Sequence, residues 1–349
     1  MKKQVTIQDV AKLAGVSVAT ASRAMNDTGY PVSAKLKQRV KEAAEELEYV
    51  PNLMARSLRN DTCRDIGLVI PNVSNPFYLQ ALMGITDVLN RNGLGMMFCN
   101  TNYDAAQERK SLQKLYERQI RGVILSSVNE NADVIEEFAK KGMRFVLLDQ
   151  KFNNEEYPGI NFDARTGAKI AVKHLVSQGH RKIAFGTMPI TRWTRIEMHK
   201  GYQDGLASAG IEYEESLVYV ADKNGLPDDG DPELQVGHRI AEAFLRDGCP
   251  ASAILCVNDM VAIGVIHTLQ REGIRVPEQI SVMGFDDIPM AKAFLPALTT
   301  VHYPAQEMGR LAALMIVDIL SDRTQEMSLS MKLSPRLVVR NSVSEYKEE

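Results

Sequence analysis

The residues best suited to do chemistry cluster near the start of the chain. Ser17, Val18, Ala19, Thr20, Ser22, Arg23 and Asn26 combine hydroxyls, small apolar groups, a guanidinium and an amide. Carried on one helix, this set suits a nucleic-acid groove. Val18 and Ala19 can touch thymine methyl groups, and Arg23 can reach guanine bidentately or a phosphate. Ser17, Thr20, Ser22 and Asn26 can hold the phosphate backbone, which fixes register rather than sequence. The same side chains would also serve as the solvated exterior of a small three-helix lobe, so the pattern alone leaves both readings open.

Three short helices must position these residues. Thr6 is a good helix N-cap, and Asp9 three residues on completes a capping-box pattern. Ile7, Val10, Ala11 and Ala14 recur at helical spacing. Gly15 ends that helix by accepting the left-handed conformation. Ser17 then caps a second helix, with Ala21, Ala24 and Met25 inward and Thr20, Ser22 and Arg23 outward. A third begins near Ser33, with Leu36, Val40, Ala43, Ala44 and Leu47 on one stripe. Two helices joined by a tight Gly-containing turn, covered by a third, form a helix-turn-helix arrangement.

Charge supports the basic-head reading. The net charge of the 349 residues is only −3, but residues 1–60 hold ten Lys/Arg against six Asp/Glu, whereas the remainder holds 31 against 38. A basic head on an acidic body fits an end that meets phosphate. The length suggests two or three domains. Cys63, Cys99, Cys249 and Cys256 show no C-x-x-C spacing and read as reduced thiols of a cytoplasmic protein. Lys2 and Lys3 are followed by no apolar core of a signal peptide, and no long apolar run spans a membrane.

Beyond residue 60, apolar runs alternate with helical patterns. Strand signals at Ile66–Ile70, Leu94–Asn100, Gly122–Ser126 and Phe145–Asp149 are separated by helical segments. The alternation restarts after Asp163, with strands at Lys182–Gly186, Leu217–Val220, Ala253–Val257 and Ser281–Phe285. This order predicts an α/β body of two doubly wound parallel-sheet halves with a cleft between them. Ligands in such sheets bind outside the carboxyl ends of the strands.

The stretch T-I-Q-D-V-A-K-L-A-G-V-S-V-A-T-A-S-R-A-M-N (Thr6–Asn26) closely resembles the N-terminal headpiece of the LacI/GalR family of bacterial repressors. The resemblance continues through V-S-A-K-L-K-Q-R-V (Val32–Val40) and Y-V-P-N-L-M-A-R-S-L (Tyr49–Leu58), with a slightly lengthened loop at Gly29-Tyr30-Pro31. It extends to the body through I-G-L-V-I-P-N-V-S-N-P-F-Y (Ile66–Tyr78), Q-G-H-R-K-I-A-F (Gln178–Phe185), V-N-D-M-V-A-I-G (Val257–Gly264), V-P-E-Q-I-S-V-M-G-F-D-D (Val276–Asp287) and L-T-T-V (Leu298–Val301).

This resemblance implies an all-α helix-turn-helix headpiece over 1–48 and a hinge helix and linker over 49–62. The effector-binding and dimerisation body over 63–349 would be periplasmic-binding-protein-like. Its first lobe would comprise about 63–163 plus 292–325, and its second about 164–291 plus 326–341. Thr6, Ser17, Val18, Ala19, Thr20, Ser22, Arg23 and Asn26 would contact operator DNA. Asn52 would cap the hinge helix, Leu58 would wedge into the minor groove, and Ala55 would sit beside it. The resemblance places Asn75, Phe77, Asp149, Asn258 and Asp286 in an effector pocket, with Arg192 and Thr194 in a loop after Lys182–Gly186; Trp193, the only tryptophan, can either stack on a sugar there or pack within the loop. Carboxylates, amides, a guanidinium and aromatic faces suit hydroxyl-rich ligands.

Two departures from the family pattern bear on the ligand. Many sugar-responsive members carry an arginine three residues before the Gly of a G-F or G-Y pair; here, before Gly201-Tyr202, that position holds Met198. Arg192 or Arg195 would have to substitute, or the ligand is not a standard monosaccharide. The stretch Asp222–Pro232 is long where many members place an aromatic pocket residue, leaving Lys223 or Leu226 in that place.

The expected protein is a homodimeric repressor that binds a double-stranded pseudo-palindromic operator and is switched by a small molecule. A sugar or sugar derivative is the leading ligand class; a purine, another metabolite or a protein co-regulator is the alternative. Catalytic and metal-binding residues, cofactors and membrane partners are not expected. The chain carries no G-x-G-x-x-G, Walker A, G-x-S-x-G or H-E-x-x-H signature, and the acidic stretch near residue 228 lacks EF-hand spacing.

Overall fold

The computed structural model describes residues 5–25, 32–49, 65–152, 157–221, 231–321 and 330–347. The chain divides into two compact units, Met1–Cys63 and Arg64–Glu349. Asn26, Asn52, Ala55, Leu58, Lys223 and Leu226 lie outside the described residues, as does the loop Gly29–Pro31.

In the first unit, α1 (Ile7–Leu13), α2 (Val18–Met25) and α3 (Ala34–Glu46) enclose a core of Val10, Ala11, Ala14, Ala21, Ala24, Val40, Ala43 and Ala44. These are small residues, so the helices approach closely. Asp9 Oδ2 accepts from the Thr6 backbone N–H at 2.8 Å and from its hydroxyl at 2.7 Å, closing the capping box. Gly15 has φ +63°, and the Val16 N–H returns to the Ala11 carbonyl at 3.0 Å. A side chain at this left-handed position would be strained. Ser17 Oγ then accepts from the Thr20 N–H at 3.1 Å and starts α2.

The second unit contains two six-stranded sheets. The first runs β2–β1–β3–β4–β5–β11, where β1 is Ile66–Ile70, β2 Met96–Asn100, β3 Gly122–Leu125, β4 Arg144–Leu148, β5 Gly159–Phe162 and β11 Ser330–Leu333. The second runs β7–β6–β8–β9–β10–β12, with β6 at Ile183–Thr187, β7 at Val218–Val220, β8 at Ala253–Cys256, β9 at Ser281–Asp286, β10 at Thr299–His302 and β12 at Arg336–Val338. Among the described residues only the β10–β12 pair is antiparallel. β1, β3, β5, β6 and β8 are buried throughout, as expected of strands covered on both faces.

Side-chain caps set where the helices begin. Asn75 caps α4 (Pro76–Arg91), Asp104 caps α5 (Ala105–Glu117), and Asp163 caps α7 (Ala164–Ser177). Asp231 caps α9 (Pro232–Arg246), and Asn258 caps α10 (Asp259–Arg271). In each case the side-chain oxygen accepts an otherwise orphaned N–H of the first turn. The remaining helices are α6 (Asp133–Lys140), α8 (Trp193–Ser208), α11 (Met290–Ala293) and α12 (Ala305–Leu320).

The chain crosses between the lobes three times: after β5, after β10 and after β11. This corrects the expected partition of the C-terminal third. β10 pairs with β9 and belongs to the second lobe, although it lies within the 292–325 segment assigned to the first. β11 pairs with β5 and belongs to the first lobe, although it lies within 326–341. At the first two crossings, Phe162 and Tyr303 stack with ring centroids 3.8 Å apart.

α12 returns to pack on α4 at a glycine contact. A Cβ at Gly309 would meet the Ala81 carbonyl oxygen at 2.0 Å, and one at Gly84 would meet the Gln306 carbonyl oxygen at 1.9 Å. Backbone atoms cannot step aside as a flexible side chain can. Gly309→Ala should therefore cost at least about 1–3 kcal/mol, read as a lower urea midpoint with an unchanged slope. A midpoint equal to that of the wild type would show that the helices have room to separate.

Candidate functional site

The carboxyl ends of corresponding strands in the two lobes face a common cleft. After β1 come Asn75, Phe77 and Tyr78; after β2, Tyr103; after β3, Ser126; after β4, Asp149. The second lobe repeats the arrangement, with Arg192 after β6, Glu233 after β7, Asn258 after β8 and Asp286 ending β9. A cavity of about 70 Å³ lies between them, lined by these residues except Ser126, together with Thr194, Arg195, Met198, Tyr303 and a few apolar neighbours.

The structure therefore brings together Asn75, Phe77, Asp149, Arg192, Thr194, Asn258 and Asp286. It does not place Trp193 on the cavity. Trp193 is half-buried as the first residue of α8, between Arg192 and Thr194, which both line the cavity. The expected loop is in fact a helix start: Arg192 is its N-cap residue and Thr194 is in its first turn. Met198 lines the cavity where many family members carry arginine, and Arg195 lines it from one turn earlier on α8.

Arg192 crosses the cleft. It donates from Nη2 to Ser126 Oγ at 3.1 Å and from Nη1 to the Tyr78 hydroxyl at 3.5 Å. Its Nε has no hydrogen-bond partner among the described residues, although the residue is only 7% exposed. Burial works against its charge, but Tyr78 and Asp149 outweigh this and hold the guanidinium protonated, with a raised pKa. Arg195 donates to the Pro189 carbonyl at 3.0 Å and lies 5.9 Å from the Tyr103 ring centre.

The acidic groups are poised. Asp149 receives the Tyr303 hydroxyl, and burial pushes its pKa up to about 7 against the opposing pull of Arg192 and Arg195. Burial, reinforced by Asp259, Glu233 and Asp149, holds the Asp286 carboxyl well above the usual carboxylate range. Asp149 and Asp286 have φ of +54° and +118°, and Asp287 has +60°. Such conformations cost roughly 1–3 kcal/mol each and cluster where function requires them. Arg340 braces this bend by donating to Asp287 Oδ1 at 2.5 Å and to the Leu298 carbonyl at 2.8 Å.

A carboxyl group whose pKa rises on folding favours the native state while protonated. Its contribution is complete below about pH 4 and is lost as pH rises through the folded pKa. For Asp149, whose folded pKa is about 7, the loss between pH 5.5 and 8 is on the order of 2 kcal/mol. Asp149→Asn should therefore melt higher than wild type at pH 8, with the gap narrowing at pH 5.5. A gap independent of pH would contradict the shifted carboxyl.

Sequence reasoning missed Glu233, Tyr78, Tyr103, Ser126 and Tyr303. The signal for Glu233 was available: Asp231-Pro232-Glu233 has an Asp cap, proline at the first helical position and an acid in the first turn.

The headpiece supplies the second candidate site. On α2, Ala21 and Ala24 are buried, whereas Val18 (45% exposed), Ala19 and Arg23 are exposed and Thr20 and Ser22 half-buried. Thr6 and Ser17 are exposed at the starts of α1 and α2. One face of α2 thus carries Val18, Ala19 and Arg23 to the surface. No helix among the described residues is long and apolar enough to cross a membrane.

Residues 6–52 match the family model for bacterial regulatory proteins of the lacI family, and residues 172–343 match that for a periplasmic binding protein-like domain. The chain is 30% identical to the HTH-type transcriptional repressor PurR of Photobacterium profundum, covering 97% of this chain and 99% of that protein. It is 30% identical to the HTH-type transcriptional regulator RegA of Clostridium saccharobutylicum over 91% and 93% of the respective chains. The lac repressor dimer bound to operator and the anti-inducer ONPF superposes with a TM-score of 0.85, at 25% identity over 98% of this chain and all of that one. A CelR–cellobiose complex superposes with a TM-score of 0.72, at 27% identity over 97% and 100% of the respective chains. The chain belongs to the lacI family of bacterial regulatory proteins, DNA-binding transcriptional repressors with an effector-binding body.

Proposed function

We propose that this repressor binds a pseudo-palindromic operator as a homodimer and is switched by a small polyhydroxylated ligand, a sugar or sugar derivative, held in the interlobe cleft. The observation that carries the ligand class is that Asp149, Asp286 and Arg192 line one aromatic-walled cavity. Carboxylates accept from hydroxyls, a guanidinium donates to them, and aromatic faces cover the apolar side of a ring. The CelR–cellobiose and lac repressor likenesses support the same reading. The PurR relatives favour the second reading, a purine, which the same aromatic walls would accommodate.

Thr6, Ser17, Val18, Ala19, Thr20, Ser22, Arg23 and Asn26 form the proposed DNA contacts of the headpiece. Asn52, Ala55 and Leu58 form those of the hinge, with Leu58 as the minor-groove wedge. Leu79, Met83 and Phe98, exposed on α4 and β2, offer apolar surface for a second copy. Pairing two headpieces matches two half-sites.

A thermal-shift panel of monosaccharides, disaccharides, sugar acids, sugar phosphates and purines tests the ligand class. A ligand at about 100 times its dissociation constant stabilises the native state by about 2.7 kcal/mol. The proposal expects the stabilising compounds to be carbohydrates. Stabilisation by purines alone would transfer the assignment to the second reading.

A further inference from the structure

Glu233 fills the cleft from within. It lies in the first turn of α9, is 1% exposed, and belongs to the second lobe. Its Oε2 accepts from Asn75 Nδ2 of the first lobe at 2.7 Å and from Asn258 Nδ2 of the second at 2.7 Å. Its Oε1 accepts from the Tyr103 hydroxyl of the first lobe. Both oxygens are therefore occupied, and two of the three donors come from across the cleft.

The two amides have a second task. Asn75 Oδ1 accepts from the Phe77 N–H at 2.8 Å and starts α4; Asn258 Oδ1 accepts from the Val261 N–H at 2.8 Å and starts α10. Each asparagine links a helix N-terminus to the same carboxylate. Three helix N-termini, those of α4, α9 and α10, thus converge on one side-chain anion, and each favours negative charge there. Burial raises the Glu233 pKa and Asp231 adds to this, while the bonds from Tyr103 and Asn258 and the charge of Arg195 oppose it; Asp286 is also within electrostatic reach.

We propose that Glu233 is a built-in anionic occupant of the cleft that clamps the two lobes together when no effector is bound. Its carboxylate holds the amides of Asn75 and Asn258 and the Tyr103 hydroxyl, donors that a ligand in the same cavity would otherwise engage. The clamp sets the resting closure of the body, and an effector acts by exchanging with it. This inference rests on reading the cleft as the effector site. Its test uses ligand-free protein, so failure of the clamp leaves that reading standing, and failure to find a carbohydrate ligand leaves the clamp standing.

The test is hydrogen exchange of the full-length protein, read on peptides covering residues 75–80 in the first lobe and 258–263 in the second. Removing the charged acceptor in Glu233→Ala should speed exchange in both peptides by roughly tenfold or more. Sodium formate, a small carboxylate that fits the vacated space, should slow it again in the variant while leaving the wild type unchanged; sodium chloride at equal ionic strength should not. Asn75→Asp keeps a competent helix cap but sets a second carboxylate against Glu233. It should speed exchange at 258–263, in the lobe it does not belong to. Unchanged exchange at 258–263 in Asn75→Asp would overturn the clamp, as would formate acting equally on both proteins.

Discussion

Replacing Arg192 with methionine should eliminate the thermal response to the effector identified in the ligand panel. Arg192 is the cation that meets Tyr78 and Ser126 across the cleft while keeping an unpaired Nε. Methionine retains much of the volume and removes every donor. The loss combines the missing charge-assisted bonds to ligand with the stranded hydroxyls of the opposite lobe. Truncating one partner of a buried, hydrogen-bonded charge costs roughly 2–5 kcal/mol, equivalent to an affinity loss of about 30-fold to several thousand-fold. Isothermal titration with the same compound gives the number. A variant that binds within threefold of wild type would remove Arg192 from the site. The headpiece core contains none of the cleft residues, so the variant should still bind operator in the absence of ligand.

The second large effect is expected at Arg23. It is exposed on α2 beside Val18 and Ala19, while Ala21 and Ala24 on the opposite face fix the helix in the headpiece core. If Arg23 forms a bidentate contact to guanine, Arg23→Ala should cost about 1–3 kcal/mol per half-site and relax sequence preference at one position. If it meets only phosphate, binding should weaken uniformly across sequences, and the salt dependence should fall by about one charge. In both cases effector binding should be intact. Measuring affinity for selected operators at several salt concentrations separates the two outcomes. Unchanged affinity would exclude Arg23 from the DNA contacts.

Much of this architecture was legible because local signals and burial agree. α2 occupies Val18–Met25 as its pattern indicates, since Ser17 caps it and Ala21 and Ala24 recur on one face. The central strands announce themselves as short uninterrupted apolar runs between helices. The last third was harder. β11 carries the sequence S-M-K-L and is only half-buried, so no apolar run marks it; its pairing with β5 is a long-range choice that periodicity does not encode. The same limit applies to β10, whose Thr299 and Thr300 are buried although their side chains are polar.

The site was legible where a residue ends a strand and illegible where tertiary contact defines it. Asp149, Asn258 and Asp286 follow apolar runs and lie at the cleft for that reason. Trp193 is the single tryptophan of the chain, but only its neighbours Arg192 and Thr194 line the cavity. Glu233 matters through Asn75 and Tyr103, which lie far away in sequence, so only the assembled lobes reveal it. Met198 and Arg195 show the limit of position-by-position transfer. The cavity wall on α8 retains an arginine, but one turn earlier, where it approaches Tyr103.

Occupancy of the cleft should change affinity for DNA. Fluorescence anisotropy of an operator fragment selected from random DNA by the full-length protein, titrated with and without the stabilising carbohydrate, tests it directly. Operator affinity should shift by about 5- to 150-fold, corresponding to a coupling of roughly 1–3 kcal/mol, with an equal reciprocal shift in carbohydrate affinity when operator is bound. Operator affinity that stays the same at saturating carbohydrate would contradict it.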